Sequence, residues 1–391
     1  MMSQLTVSYL WREPNAAKQF RTGVSLHSHT NQSKETLDFI AELSTEWGLL
    51  QPIMRRCERR CGRLSGIRPD YNRSYWTPPL TPRLAFDLER KQIEEKLELP
   101  GLVSITDHDD IQAPMLLRSV PSARHIPLSV EWTVPFFETS FHIGIHNLPS
   151  AAATSWMERF RLFTEMPVDR RAPGLLKETL AELHDLPNVL IIFNHPMWDL
   201  YRIGKPRHDV LVNDFLAVNG QFLHALELNG LRHWKENREV AELAARWNQL
   251  TISGGDRHGV EPNANVNLTH AASFNEFVHE VRRDRQSHVL FMPQYAEPWK
   301  HRLLQSTLDA IRNYPEFPVG SQQWDERVYH PDGDGILLPL SQLWMAGRAP
   351  GWVEGVLSFV RLMGAKPVSR GLRMAWNDSN EMQANLAELD A

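Results

Sequence analysis

Histidines and acidic residues recur in short clusters along this chain: His27-Ser28-His29, Asp107-His108, Glu131, His142, His195 within Asn-His-Pro, Glu227, and Asp256-Arg257-His258. Imidazole nitrogen and carboxylate oxygen are the donors that suit zinc, manganese or iron. A His-x-His on a strand turns both rings to one face, where they can meet one ion. A carboxylate can bridge two ions, and a pair about 3.5–4 Å apart can activate a water for in-line attack on phosphorus. Taken singly, each of these residues has an ordinary explanation. A buried His is usually a hydrogen-bonded core group, TDHDD (106–110) would serve as a helix N-cap cluster, and GGDRHG (254–259) would serve as a turn. The ordered set points instead to a polynuclear metal site.

The segments that carry these clusters read as strands: 23–28, 102–106, 126–132, 141–147, 189–194, 224–229, 250–254 and 288–292. Amphipathic helical stretches lie between many of them, at Pro82–Leu99, Gly174–His184, Lys235–Trp247 and Phe274–Arg285, so the pattern is that of an α/β fold built on parallel strands. The candidate ligands fall near the carboxyl ends of successive strands. In a parallel barrel those ends converge on one face, which brings residues far apart in sequence into one pocket.

LHSHT (26–30), SITDHDD (104–110), FNHP (193–196) and GGDRHG (254–259) resemble, in this order, the four motifs of the polymerase and histidinol phosphatase (PHP) domain family. VEWTV followed by FHIGIHNL resembles that family's intervening glutamate and histidine, so the likeness spans roughly residues 20–295. The resemblance implies a distorted (β/α)7 TIM-like barrel with an insertion after the first strand, holding two or three divalent metal ions. By position, His27, His29, Glu131 and Asp256 would hold one ion. Glu131 would bridge to a second, held by His142 and His195. His108 and His258 would serve a third. Family members usually place an Asp or His five or six residues beyond the first motif. Lys34 stands there in this chain and Glu35 is the nearest carboxylate, so either Glu35 ligates the third ion or that ion is weakly held. Asp107 and Glu227 are expected beside the ligands, and His146 in a structural role. The implied activity is metal-dependent hydrolysis of a phosphate ester by a metal-bridging hydroxide. His108, His258 and Asp256 would take direct part, the histidines by holding the leaving or a non-bridging oxygen.

A phosphate substrate also calls for cations, and Arg202, Arg207 and Arg257 lie nearest the motifs. Arg55, Arg56, Arg59, Arg60, Arg63 and Arg68 crowd an insertion at 49–81, with Tyr71, Tyr75 and Trp76 close behind. That composition fits a solvated cap, or a surface for nucleotide phosphates and bases. Cys57 and Cys61 are the only cysteines in 391 residues, too few for a disulfide framework. With 42 Lys and Arg against 47 Asp and Glu, the net charge of −5 excludes a wholesale nucleic-acid binder. The N-terminus has no basic start followed by an apolar run, and no stretch of about 18 apolar residues occurs, so a cytoplasmic protein without membrane partners is expected. The domain reading is 1–295 for the metal-binding barrel and 296–391 for a C-terminal helical extension. The expected partner is a small phosphorylated substrate or nucleotide. Three alternatives stand beside this: a 5'-end-directed exonuclease or oligonucleotide phosphoesterase with nucleic acid as its partner, a hydrolase of C–N bonds, and a non-catalytic metal-binding interaction module.

Overall fold

The computed structural model describes residues 6–37, 73–167, 170–171, 174–317, 322–344 and 348–376. The arginine-rich stretch 54–68, with Cys57, Cys61 and nearby Tyr71, lies outside the described residues. The chain divides into two compact units. One comprises Met1–Gln32, Thr81–Arg257 and Pro262–Ala296, and the other Ser33–Leu80, His258–Glu261 and Glu297–Ala391.

The described strands are β1 (Thr6–Tyr9), β2 (Thr22–Ser25), β3 (Tyr75–Trp76), β4 (Gly101–Val103), β5 (Val130–Phe136), β6 (Thr139–His146), β7 (Leu190–Asn194), β8 (Ala225–Asn229), β9 (Leu250–Gly254), β10 (Asn265–Thr269), β11 (His288–Phe291), β12 (Val328–Pro331) and β13 (Leu337–Pro339). In the first unit they form two five-stranded sheets, ordered β1-β11-β10-β2-β4 and β5-β6-β7-β8-β9. The expected closed barrel of seven strands is therefore not what forms. A (β/α) barrel needs parallel neighbours joined by helical crossovers. Here β5 and β6 instead make an antiparallel hairpin, β6 pairs antiparallel with β7, and β10 pairs antiparallel with both β11 and β2. Only β1–β11, β2–β4, β7–β8 and β8–β9 are parallel. Beyond the strand ends, isolated bridges pair Ser28 with Arg257 and His108 with Glu131.

The helices that back these sheets follow from local sequence. Helix Pro82–Leu97 starts on Thr81, whose side chain accepts from Leu84 N at 3.4 Å, with proline in its first turn. It buries Ala85, Phe86, Glu89, Ile93 and Leu97. Helix Phe274–Arg282 is capped by Ser273, which accepts from Glu276 N at 3.3 Å, while Glu276 reaches back to Ala272 N at 2.8 Å. Its Phe274, Phe277, Val278 and Val281 pack with Val24, Leu190, Ile192 and Ile252 in one core cluster. Strand β10 breaks the expected pattern because its sequence, NVNLT, alternates apolar residues with asparagine. Asn265 and Asn267 are buried, and their side-chain amides bond Leu228 O and Ser253 O at 2.7 and 3.2 Å.

The second unit carries the small sheet β13-β12-β3 and helices Trp299–Ile311, Gly351–Gly364 and Lys366–Ala375. Its buried Arg327 donates to Ala310 O and Arg312 O, both at 2.8 Å. Among the described residues no helix is long and apolar enough to cross a membrane.

Candidate metal centre

Strand ends of the first unit deliver its charged side chains to one place. His27 and His29 follow β2, Asp107 and His108 follow β4, and Glu131 is the second residue of β5. His142 lies within β6, His195 directly follows β7, Glu227 lies within β8, and Asp256 follows β9 by two residues. All but His108 are buried. His195 and Asp256 take positive φ angles of 26° and 54°, a conformation that costs energy for non-glycine residues and clusters at functional sites. Gly254 is needed for close approach, since a Cβ there would sit 1.5 Å from Glu227 Oε1.

Glu131 is the hub, and its two oxygens face different partners. Oε2 lies 3.0 Å from His27 Nε2, 3.4 Å from His29 Nε2 and 3.4 Å from His108 Nδ1. Oε1 lies 3.1 Å from His195 Nε2 and 3.4 Å from His142 Nδ1. His27 Nε2 and His29 Nε2 approach to 3.0 Å, and Asp256 Oδ1 stands 3.6 and 3.4 Å from them. Three ligand groups within the unit have the spacing to hold an ion: His27, His29 and Asp256; His27, Glu131 and His195; and His29, His108 and Glu131.

Neighbouring polar groups hold these donors in place. His27 Nδ1 is 2.6 Å from Glu227 Oε1. With one proton kept on Nδ1, facing that carboxylate, loss of the other would leave an Nε2 lone pair where Glu131, His29 and Asp256 converge, which is the ligand tautomer. Glu227 Oε2 accepts from His195 N at 2.8 Å and from Asn229 Nδ2 at 3.0 Å, and Asn229 Nδ2 also donates to Asp256 Oδ2 at 3.0 Å. Asn194 donates to Glu131 Oε1 at 2.9 Å. Asp107 accepts from Thr30 N and Oγ1 at 2.5 and 2.7 Å. His142 Nδ1 is buried and completes no hydrogen bond.

Such a cluster requires positive charge at its centre. Burial alone would lower the His27 imidazole, yet Glu131, Glu227 and Asp256 outweigh it and hold the group well above the ordinary histidine value. Burial would raise the Glu131 carboxyl, but His27, His108 and His142 hold it well below the ordinary carboxylate range. His142 is pushed down to about 4, first by burial, so it stays neutral with a lone pair to offer. Convergent lone pairs and carboxylates, one of them on an orphaned buried nitrogen, fit a divalent cation better than a lone proton.

The arginine candidates from the sequence, and His146, have surroundings of their own. Arg257 is buried and pairs with Glu89 at 3.3 Å. Arg207 pairs with Glu138 on the surface, and Arg202 is exposed with φ 55°. His146 Nδ1 bonds Ser104 Oγ at 2.8 Å, and burial lowers it to about 3. In the second unit, His258 Nε2 lies 3.1 Å from Glu35 Oε2, and Glu35 pairs through its backbone with Trp76. Sequence reasoning passed over Asn194, Trp198 and Arg232. Asn194 stands beside His195 in the FNHP motif, and that adjacency was the available signal.

No family model matches the chain, and no curated protein matches it. Solved structures give low-scoring likenesses. An amidohydrolase from Chromobacterium violaceum with bound sulfate and no metal is 16% identical, covering 47% of this chain and 84% of that one, with a TM-score of 0.32. A Bifidobacterium adolescentis protein named for a proposed metal-dependent phosphoesterase activity is 17% identical over 52% and 91%, with a TM-score of 0.31. PsfC from Pseudomonas syringae PB-5123 is 14% identical over 58% and 88%, with a TM-score of 0.37. At these values the likenesses carry no functional weight.

Proposed function

We propose that this chain is a metal-dependent hydrolase of phosphate esters, with two divalent cations held around Glu131. The observation that carries the reading is the division of Glu131: one carboxylate oxygen faces His27 and His29, and the other faces His142 and His195, at 3.0–3.4 Å. That is the arrangement of a bridging carboxylate. His27, His29 and Asp256 would hold one cation, and His142 and His195 the other. Zinc, manganese and iron all accept this donor set. When bound, such a pair lowers the pKa of a shared water towards about 7 and screens phosphate charge.

The protein's own groups do the rest. Glu227 keeps the His27 proton on Nδ1, and Asn229 fixes the Glu227 and Asp256 carboxylates relative to one another. His108, the most exposed of the imidazoles facing Glu131 at 15%, is the group suited to meet a substrate oxygen. The resemblance of the sequence motifs to the PHP family supports phosphoester chemistry over C–N cleavage.

The test is metal analysis of purified protein, followed by chelation and readdition, with an aryl phosphate, nucleoside monophosphates, sugar phosphates and short DNA and RNA as substrates. Turnover that disappears with the metal and returns with it is expected. Turnover unchanged by chelation would overturn the reading. Bound metal without turnover on any phosphoester would leave a metal-binding interaction module.

A further inference from the structure

Two residues outside the ligand set are built against one half of it. Trp198 lies three residues past His195, and its backbone N donates to His195 O at 2.9 Å. Its ring stands nearly perpendicular to the His195 ring, centroids 5.0 Å apart at 77°, and to the His142 ring at 6.0 Å and 73°. Those imidazoles meet each other edge to face at 5.1 Å and 81°. Behind Trp198, the Arg232 guanidinium carbon sits 4.0 Å from the indole centroid, and Arg232 is only 6% exposed. Arg232 leaves β8 in the turn that begins with Asn229, to whose carbonyl its N–H donates at 3.4 Å, and its Nε is 3.9 Å from Glu236 in the following helix. A desolvated guanidinium over an indole face is a strong, planar contact.

The geometry points to Arg232 and Trp198 as positioning residues: the guanidinium fixes the indole, and the indole fixes the His142 and His195 rings, setting the affinity of the cation they hold with Glu131 Oε1. The side chains of His27 and Asp256 are ordered by Glu227 and Asn229 instead, and Glu227 reaches the other pair through the His195 backbone N–H, so the stack on Trp198 is a support particular to the His142 and His195 rings. This inference rests on the two-cation reading above. Loss of an outer support of this kind costs about 10- to 100-fold in metal affinity.

The test titrates the metal-stripped full chain with zinc by calorimetry, for wild type and for W198A, W198F, R232M and R232K. Wild type should take two ions. In W198A and R232M one ion should bind as in wild type while the other weakens about 10- to 100-fold. W198F, which keeps a ring against the imidazoles, should recover most of that loss, and R232K, which keeps charge without the planar stack, should fall between. Equal weakening of both ions, or none in either, would overturn the positioning role while leaving the two-cation centre standing. A wild-type chain that binds no zinc would overturn both.

Discussion

Two fully buried glutamates, Glu131 and Glu89, solve the same electrostatic problem in opposite ways. Glu89 sits on helix Pro82–Leu97, 3.3 Å from the Arg257 guanidinium, and it also accepts from Ser25 Oγ at 2.9 Å and from the Asn263 amide. Its counter-charge is covalently part of the chain. Burial still lifts its carboxyl above the ordinary value, against the pull of Arg257 and Ser25. Glu131 faces imidazoles and one neutral amide, Asn194. Imidazoles can lend a proton or a lone pair, so the counter-charge there is exchangeable. The arginine partner fixes Glu89 in the fold, whereas the histidines around Glu131 have the spacing that a cation from solution could use.

The largest effect should come from the hub. Glu131→Gln keeps the shape but removes the charge that the two proposed cations would share. It should cost on the order of 10³-fold in turnover of an aryl phosphate and lower the bound metal, because a metal's electrostatic contribution to such reactions is several kcal/mol. Plasma emission analysis alongside the assay checks both. Full metal content with wild-type turnover would remove the distinction between the two glutamates.

Glu89→Gln probes the other side. Breaking one partner of a buried ion pair costs about 3–5 kcal/mol, because Arg257 stays behind. Urea unfolding should show a loss of that size with zinc stoichiometry unchanged in whatever fraction is folded. An unstable variant that also lost one zinc selectively would mean that Glu89 and Glu131 are coupled, through Arg257 and the His27–Arg257 backbone contact at 3.4 Å.

Acid should separate the two further. Without metal, Glu131, Glu227 and Asp256 favour the doubly protonated His27 ring, so a cation must displace the Nε2 proton while Nδ1 keeps its own against Glu227. Each displaced proton lowers apparent metal affinity about 10-fold per pH unit on acidification. Zinc titrations from pH 8 to pH 6 should therefore show affinity falling steadily across the range. A flat profile would mean that His27 yields no proton on binding.

What could be read from sequence differed between these regions for a physical reason. Ligand types cluster locally, so HSH, TDH and DRH announced themselves before any fold was known. Strand direction is not written in a hydrophobic run, which is why the β5–β6 hairpin and the antiparallel placement of β10 displaced the expected barrel. Nor does a motif say where its middle residue points: Arg257, between two candidate ligands, turns to a helix 168 positions away in sequence. Asn265 and Asn267 hid β10 because a buried amide looks like a loop residue until its backbone partners are known.

One more pair sharpens the same point on a single residue type, with the smallest expected effect. His27 is raised by carboxylates, whereas His224 is lowered to about 2, by burial first and then by Arg282. His224 Nδ1 accepts from Ile191 N at 2.8 Å, which requires the neutral ring. The unfolded chain takes up a proton at this residue near pH 6.5, and the folded chain refuses it until far lower. Between those values the unfolded state binds more protons, so stability falls as pH falls. From pH 7.5 to 6 that one group should remove about 0.8 kcal/mol. His224→Gln keeps an acceptor that does not titrate, so the metal-stripped variant should lose less stability over that interval than metal-stripped wild type, whatever its starting value. Parallel pH profiles in urea unfolding would mean that His224 charges as readily folded as unfolded, and the contrast with His27 would then rest on the carboxylates alone.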